Sequence, residues 1–211
     1  MVAAHHLIWT IYGYWLPNDP RGSLSQVIRD DEIAKLGESH FERKRIQPSP
    51  SELRAFHEES AKVLKHELRA LSDQEAKCVG SAFAEVIRDR NYTCYACAIM
   101  PDHVHLLIRK HRDDAETMIA ELQRASRIGV LDVGERPLEH PIWGGPGWKV
   151  FLRTREDIRR VIRYIERNPE KAKLPPQQRS FVSPYDGWLP SQLSTKRPAN
   201  PQARRKPKRE S

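Results

Sequence analysis

Apolar positions along the chain follow two rhythms, alternating in some segments and recurring every three to four residues in others. The first apolar segment, His6 to Leu16, is rich in β-branched and aromatic residues and stops at Pro17-Asn18-Asp19-Pro20, which predicts a strand closed by a turn. Arg21 to Pro50 carries mixed charge with little periodicity and reads as an insertion holding one short helix. Ser51 to Leu71 reads as a helix, with Leu53, Phe56, Val63 and Leu64 at helical intervals and Ser51 as its cap. Ser72 to Arg90 is a second helix; Ser72 and Glu75 form a capping-box pattern, and Val79, Phe83, Val86 and Ile87 make its apolar face. Asn91 to Met100 and His103 to Arg109 are strands joined by Pro101-Asp102, a hairpin pattern. Ala115 to Gly129 is helical with Met118, Ile119 and Leu122 inward. Trp143 to Leu152 starts as a Gly/Pro loop and ends as a short strand. Thr154 to Asn168 is the last clear helix, opened by Thr154 with Asp157 three residues on.

Without the insertion at about residues 21–71, the order is strand, helix, strand, strand, helix, strand, helix. This predicts an α+β fold, a ferredoxin-like βαββαβ antiparallel sheet with an added C-terminal helix. Many functions use that architecture, so the fold alone settles none. Residues 1–190 read as one domain, and residues 191–211 as a basic tail. The tail holds seven Lys/Arg (Lys196, Arg197, Arg204, Arg205, Lys206, Lys208, Arg209) against Glu210, so it supplies most of the net charge of +8. Rich in Pro and lacking aromatics, it is expected to be disordered and to offer phosphates a mobile counter-charge, or else only to aid solubility. The sequence shows no apolar run of the ~20 residues a membrane helix needs and no secretory signal pattern, so a cytoplasmic location is expected. Cys94-x-x-Cys97 has a zinc or redox spacing, but strand alternation would turn the two thiols to opposite faces, and no second pair completes four ligands. Together with Cys78 they read as structural cysteines.

The chemistry concentrates in two places. In the strand Met100 to Ile108, His103 and His105 lie on one face about 7 Å apart, at ~3.4 Å per residue, while Val104 and Leu106 face the core. Two neutral imidazoles on one face can be two legs of a metal site, but a bare His-x-His is a weak signal, and such histidines usually sit on a half-exposed sheet face. In the last helix, Ile158, Val161, Ile162 and Ile165 form an apolar stripe, and Tyr164 and Asn168 stack on its shoulder. There the Tyr hydroxyl and the Asn amide can reach a cleft. The plainer alternative is a packing Tyr at a helix boundary, with Asn168 capping a short helix from Pro169.

Pro101-Asp102-His103-Val104-His105-Leu106-Leu107-Ile108, followed by Tyr164-Ile-Glu-Arg-Asn168-Pro169, resembles the single-tyrosine HUH transposases (IS200-like), in particular their REP-associated tyrosine transposase branch. The opening segment and the Trp143–Leu152 region are similar to that group as well, whereas residues 21–71 and the tail depart from it. The resemblance implies that His103 and His105 bind Mg2+ or Mn2+, that Asn168 is a third, polar ligand, and that Tyr164 is the nucleophile. It implies a metal-dependent single-strand DNA endonuclease and strand transferase. Such an enzyme forms a 5′-phosphotyrosine intermediate on hairpin or repeat DNA, acting as monomer or homodimer. Unpaired bases would stack on aromatics while cations track the backbone; the candidates are Trp143, Trp148 and Lys149 with Arg124 and Arg127. Two rivals remain: a ferredoxin-like module that binds nucleic acid without catalysis, and a metal-dependent hydrolase in which water replaces Tyr164.

Overall fold

A computed structural model describes residues 1–190, apart from Leu24, Gln26 and Arg43; the tail expectations fall on residues outside that range. The elements run β1 (Ala4–Thr10), α1 (Asp31–Ala34), α2 (Pro50–Val63), α3 (Asp73–Asp89), β2 (Cys94–Ile99), β3 (His103–Arg109), α4 (Ala115–Asp132), β4 (Trp148–Leu152), α5 (Arg155–Glu166) and α6 (Asn168–Lys171). The four strands form one sheet in the order β2-β3-β1-β4, with each neighbouring pair antiparallel. This is the interleaved βαββαβ arrangement expected, with α5 added after the last strand.

Alternation along the strands sorts the side chains into two cores. Leu7, Trp9 and Ile11 with Val104, Leu106 and Ile108 pack against Val79 and Phe83 of α3 and Met118, Ile119 and Leu122 of α4. The opposite face, carrying Ala96, Ala98 and Leu107, takes Ile158 and Ile165 of α5, with Val161 and Ile162 packed at its margin. The last helix therefore lies alone on one side of the sheet, and whatever its shoulder presents meets the odd-numbered residues of β3.

The local rules fix several helix starts. Ser72 caps α3 in a complete box with Glu75, and Thr154 caps α5 by accepting from the Asp157 amide. Two expectations need correction. The cap of α2 is Ser49 rather than Ser51: Pro50 takes the first helical position and Glu52 closes the box, and the helix ends at Val63 rather than Leu71. The first strand spans Ala4–Thr10 rather than reaching Leu16, because the chain turns after a bridge at Ile11.

The cysteine expectation also changes. The register of β2 on β3 shifts between Cys94 and Ala96, so Tyr95 is an extra residue. That bulge resets the alternation and turns Cys94 and Cys97 to the same face, both in the α3/α4 core. Burial raises both thiols, Cys94 well above its ordinary value and Cys97 to about 12. They are neutral packing groups.

The outer edge of β2 is covered by the segment after α6. The Gln177 side chain accepts from the Ile99 amide at 2.9 Å and donates to its carbonyl at 2.7 Å, and the Ser183 amide donates to the Cys94 carbonyl at 2.8 Å. The insertion docks through polar contacts: the Arg21 guanidinium bonds both oxygens of buried Asp19 and lies 4.2 Å over the Trp15 ring.

Candidate active site

The register of β1 on β3 sets Ile8 opposite His105, Thr10 opposite His103 and His6 opposite Leu107. Directly opposed residues share a face. His6, His103 and His105 therefore stand together on the side that α5 covers. His103 and His105 have ring centroids 4.8 Å apart, and His6 and His105 have theirs 5.1 Å apart.

Each imidazole of β3 is held by a neighbour through Nδ1. Nδ1 of His103 bonds Asp102 Oδ1 at 2.6 Å, and Nδ1 of His105 lies 3.0 Å from Nε2 of His6 in a buried contact. Burial raises the Asp102 carboxyl, but the hydrogen bond and charge of His103 outweigh it and hold the group below the usual carboxylate range. Burial lowers His6 to about 4, and burial with the neighbouring His103 and His6 lowers His105 well below its ordinary value. His6 and His105 are therefore neutral near pH 7.

Tyr164 reaches this cluster from the last turn of α5. Its ring stands edge-on to His105, with centroids 5.5 Å apart and an 80° interplanar angle, and 6.2 Å from His6. It keeps 41% of its surface exposed, unlike the stripe residues Ile158 and Ile165 beside it. The ammonium of Lys171 sits 4.9 Å from the same ring. The exposed shoulder position expected from helical spacing is the observed one.

One turn further, Asn168 is buried and its Nδ2 has no hydrogen-bond partner. It does not cap the next helix: α6 begins at Asn168 itself, after Arg167, without a side-chain cap bond. A buried amide left unpaired is costly unless something else engages it. Its oxygen and nitrogen ends are interchangeable by a flip, so the free end can present oxygen. Among the described residues no three His, Cys, Asp or Glu side chains converge as a metal-binding group. Were the two histidines to hold a metal, a third protein ligand would have to come from another residue type, and the unengaged Asn168 amide fits that requirement.

The residues expected to hold DNA do not line one groove. Trp148 opposes Ile8 and shares the histidine face, 42% exposed. Lys149 opposes Leu7, faces the other way and pairs with Glu116 of α4. Trp143 packs edge-on to Trp9 and donates to the Gln123 carbonyl, so it is a core-margin residue. Arg124 is paired with Glu121 on α4, and Arg127 donates to the carbonyls of His140 and Leu138. Among these candidates, Trp148 alone stands on the histidine side.

Sequence reasoning passed over His6, Asp102 and Lys171. Alternation in β1 already turned His6 away from Leu7 and Trp9, but only the strand order shows that this brings it to His105. Asp102 reads as a turn residue, yet its carboxylate also bonds His103.

The profile of the family described as Transposase IS200 like matches residues 60–168, just over half of the chain, and includes both histidines, Tyr164 and Asn168. No curated protein matches. Two solved structures are similar at low identity. One is a REP-associated tyrosine transposase bound to a REP hairpin, at 15% identity and TM-score 0.46, covering 81% of this chain and 68% of that one. The other is a protein taken to be a transposase from Deinococcus radiodurans R1, at 13% identity and TM-score 0.40, covering 79% and 90%. With a family profile that takes in three of the four strands, the histidine strand among them, and the tyrosine helix, the chain belongs to the IS200-like transposases, a family of DNA-processing enzymes.

Proposed function

We propose that this transposase nicks and rejoins single-stranded DNA carrying a hairpin or repeat, with Tyr164 as nucleophile and Mg2+ or Mn2+ held by His103, His105 and Asn168. The observation that carries the reading is the meeting of an exposed tyrosine with the His103–His105 face, its ring 5.5 Å from that of His105. Both imidazoles have Nδ1 engaged by a protein partner, so a cation would be held through Nε2. The cation would offset the negative charge of the phosphate under attack.

The remaining steps belong to the chain's own groups. Tyr164 Oη attacks the phosphorus, a new Oη–P bond forms, and the P–O3′ bond breaks. The tyrosine's proton is lost to solvent and the departing 3′ oxygen is protonated. The product is a 5′-phosphotyrosine with a free 3′-OH. Because the phosphodiester energy is kept in the protein–DNA bond, a 3′-OH can attack in reverse and rejoin the strand. Lys171, over the Tyr164 ring, supplies positive charge where the phosphate must lie. Trp148, on the same face, offers an exposed ring on which an unpaired base stacks.

The test is incubation of the protein with end-labelled hairpin-bearing single-stranded DNA and Mn2+. A protease-sensitive protein–DNA adduct is expected. Tyr164→Phe keeps the ring packing and should lose the adduct and the cleavage while still binding DNA. Cleavage by Tyr164→Phe would replace this mechanism with hydrolysis by water, and binding without cleavage by the wild type would leave a binding module.

A further inference from the structure

The His6–His105 contact joins residues 99 positions apart, on adjacent strands, at 3.0 Å with both rings buried. Two neutral imidazoles facing each other nitrogen to nitrogen share a single hydrogen, and its owner decides what His105 can do. If His6 donates, Nδ1 of His105 accepts, and the one ring proton of His105 must sit on Nε2. No lone pair then remains on the nitrogen that faces away from His6. If His105 donates from Nδ1, its Nε2 lone pair is free.

We infer that His6 is the hydrogen-bond acceptor that holds His105 as its Nδ1–H tautomer, leaving Nε2 as the coordinating atom. His103 shows the same logic with a different partner. A carboxylate can only accept, so Asp102 fixes the proton of His103 on Nδ1 and frees Nε2. Two adjacent ligands of one strand are thus set in the same tautomer by two unlike acceptors, one in the turn before β3 and one on β1. His6 itself does not join the ligand set: its Nε2 is spent on His105, and no three such side chains converge among the described residues. It is a positioning residue.

The inference rests on the proposed nuclease reading for its direction, because a cation at His105 requires the free Nε2 lone pair and the contact by itself allows either donor. The tautomer itself is a property of the metal-free protein. Nitrogen-15 NMR of the imidazoles in the metal-free, full-length protein should show His105 with its proton on Nδ1. In His6→Leu, which cannot accept, the Nδ1–H signal should be lost. The Mn2+ affinity read by electron paramagnetic resonance should fall about 10–100-fold, the usual effect of losing such a partner. His6→Gln, whose amide oxygen accepts, should keep the tautomer and most of the affinity. A wild-type His105 protonated on Nε2 overturns the inference, and so does a His6→Leu protein with unchanged tautomer and affinity. A protein with the expected tautomer that forms no DNA adduct would instead remove the nuclease reading and leave the role of His6 standing.

Discussion

Arg136 is the perturbation with the largest expected effect on stability. Its side chain and that of Glu75 are 1% and 2% exposed, and they meet through Nε–Oε1 at 2.5 Å and Nη2–Oε2 at 2.9 Å. Nη2 of Arg136 also donates to the Ala70 carbonyl at 2.7 Å, and Glu75 Oε2 accepts the Ser72 amide that opens α3. The adjacent Leu71 amide donates to the Pro101 carbonyl at 2.8 Å, next to the Asp102 that orients His103. The pair thus ties the start of α3 to the loop that braces the histidine turn. Arg136→Met leaves a buried carboxylate without its counter-charge, which costs about 3–5 kcal/mol. At roughly 2–4 °C per kcal/mol for a chain of this size, the melting temperature should drop by roughly 6–20 °C. Adding Glu75→Gln removes the stranded charge, so the double variant should be more stable than Arg136→Met alone. Burial raises the Glu75 carboxyl, but the Arg136 and Ser72 bonds outweigh it and leave it below the usual range. A depressed carboxylate stabilises the fold above its unfolded value and loses that contribution as pH falls through its folded value. The gap between wild type and Arg136→Met should therefore narrow in acid. Urea and thermal melts of the four proteins of the cycle measure all of this. A loss below about 1 kcal/mol for Arg136→Met, or simple additivity in the double variant, would refute the reasoning.

Three further outcomes are expected. In the metal-free protein, folding lowers the pKa of His6 to about 4 and holds that of His105 well below its ordinary value, so the unfolded chain binds more protons and stability declines as pH falls below the histidine range. His6→Gln should remove up to ~1.4 kcal/mol per pH unit of that decline across the window, read by urea melts. Trp148→Ala should weaken single-stranded DNA binding by about 1–3 kcal/mol, whereas Lys149→Ala, on the other face, should change it little; equal effects in fluorescence titrations would contradict the strand-face assignment. Deleting residues 191–211 removes seven Lys/Arg and should flatten the salt dependence of DNA binding without lowering the melting temperature; an unchanged slope would show that the tail makes no phosphate contact.

How far the site could be read from the chain depends on the range of each interaction. His103 and His105 share a face because side chains alternate two by two, and Tyr164 leaves the apolar stripe because helical residues turn 100° each. Both rules act within a few residues, and both hold here. The same alternation separates Trp148 from Lys149, because β4 begins at Trp148 and the Gly/Pro loop ends before it. Where the rule fails, a single residue is responsible: Tyr95 adds one position to β2 and brings Cys94 and Cys97 to one side. Nothing marks that bulge, because the extra residue is neither Gly nor a turn former. The cap of α2 falls on Ser49 rather than the expected Ser51 because Pro50, with its fixed φ and missing N–H, suits the first helical position. His6 belongs to another category. Its face follows from alternation, but its partner follows from the insertion of β3 beside β1, a choice made by the whole sheet. A proposed site whose two histidines lie two residues apart, and whose tyrosine lies four from Asn168, can be recognised locally. Asp102 bonds its own sequence neighbour, whereas the partner of His105 comes from a strand 99 residues away, and only the assembled sheet identifies it.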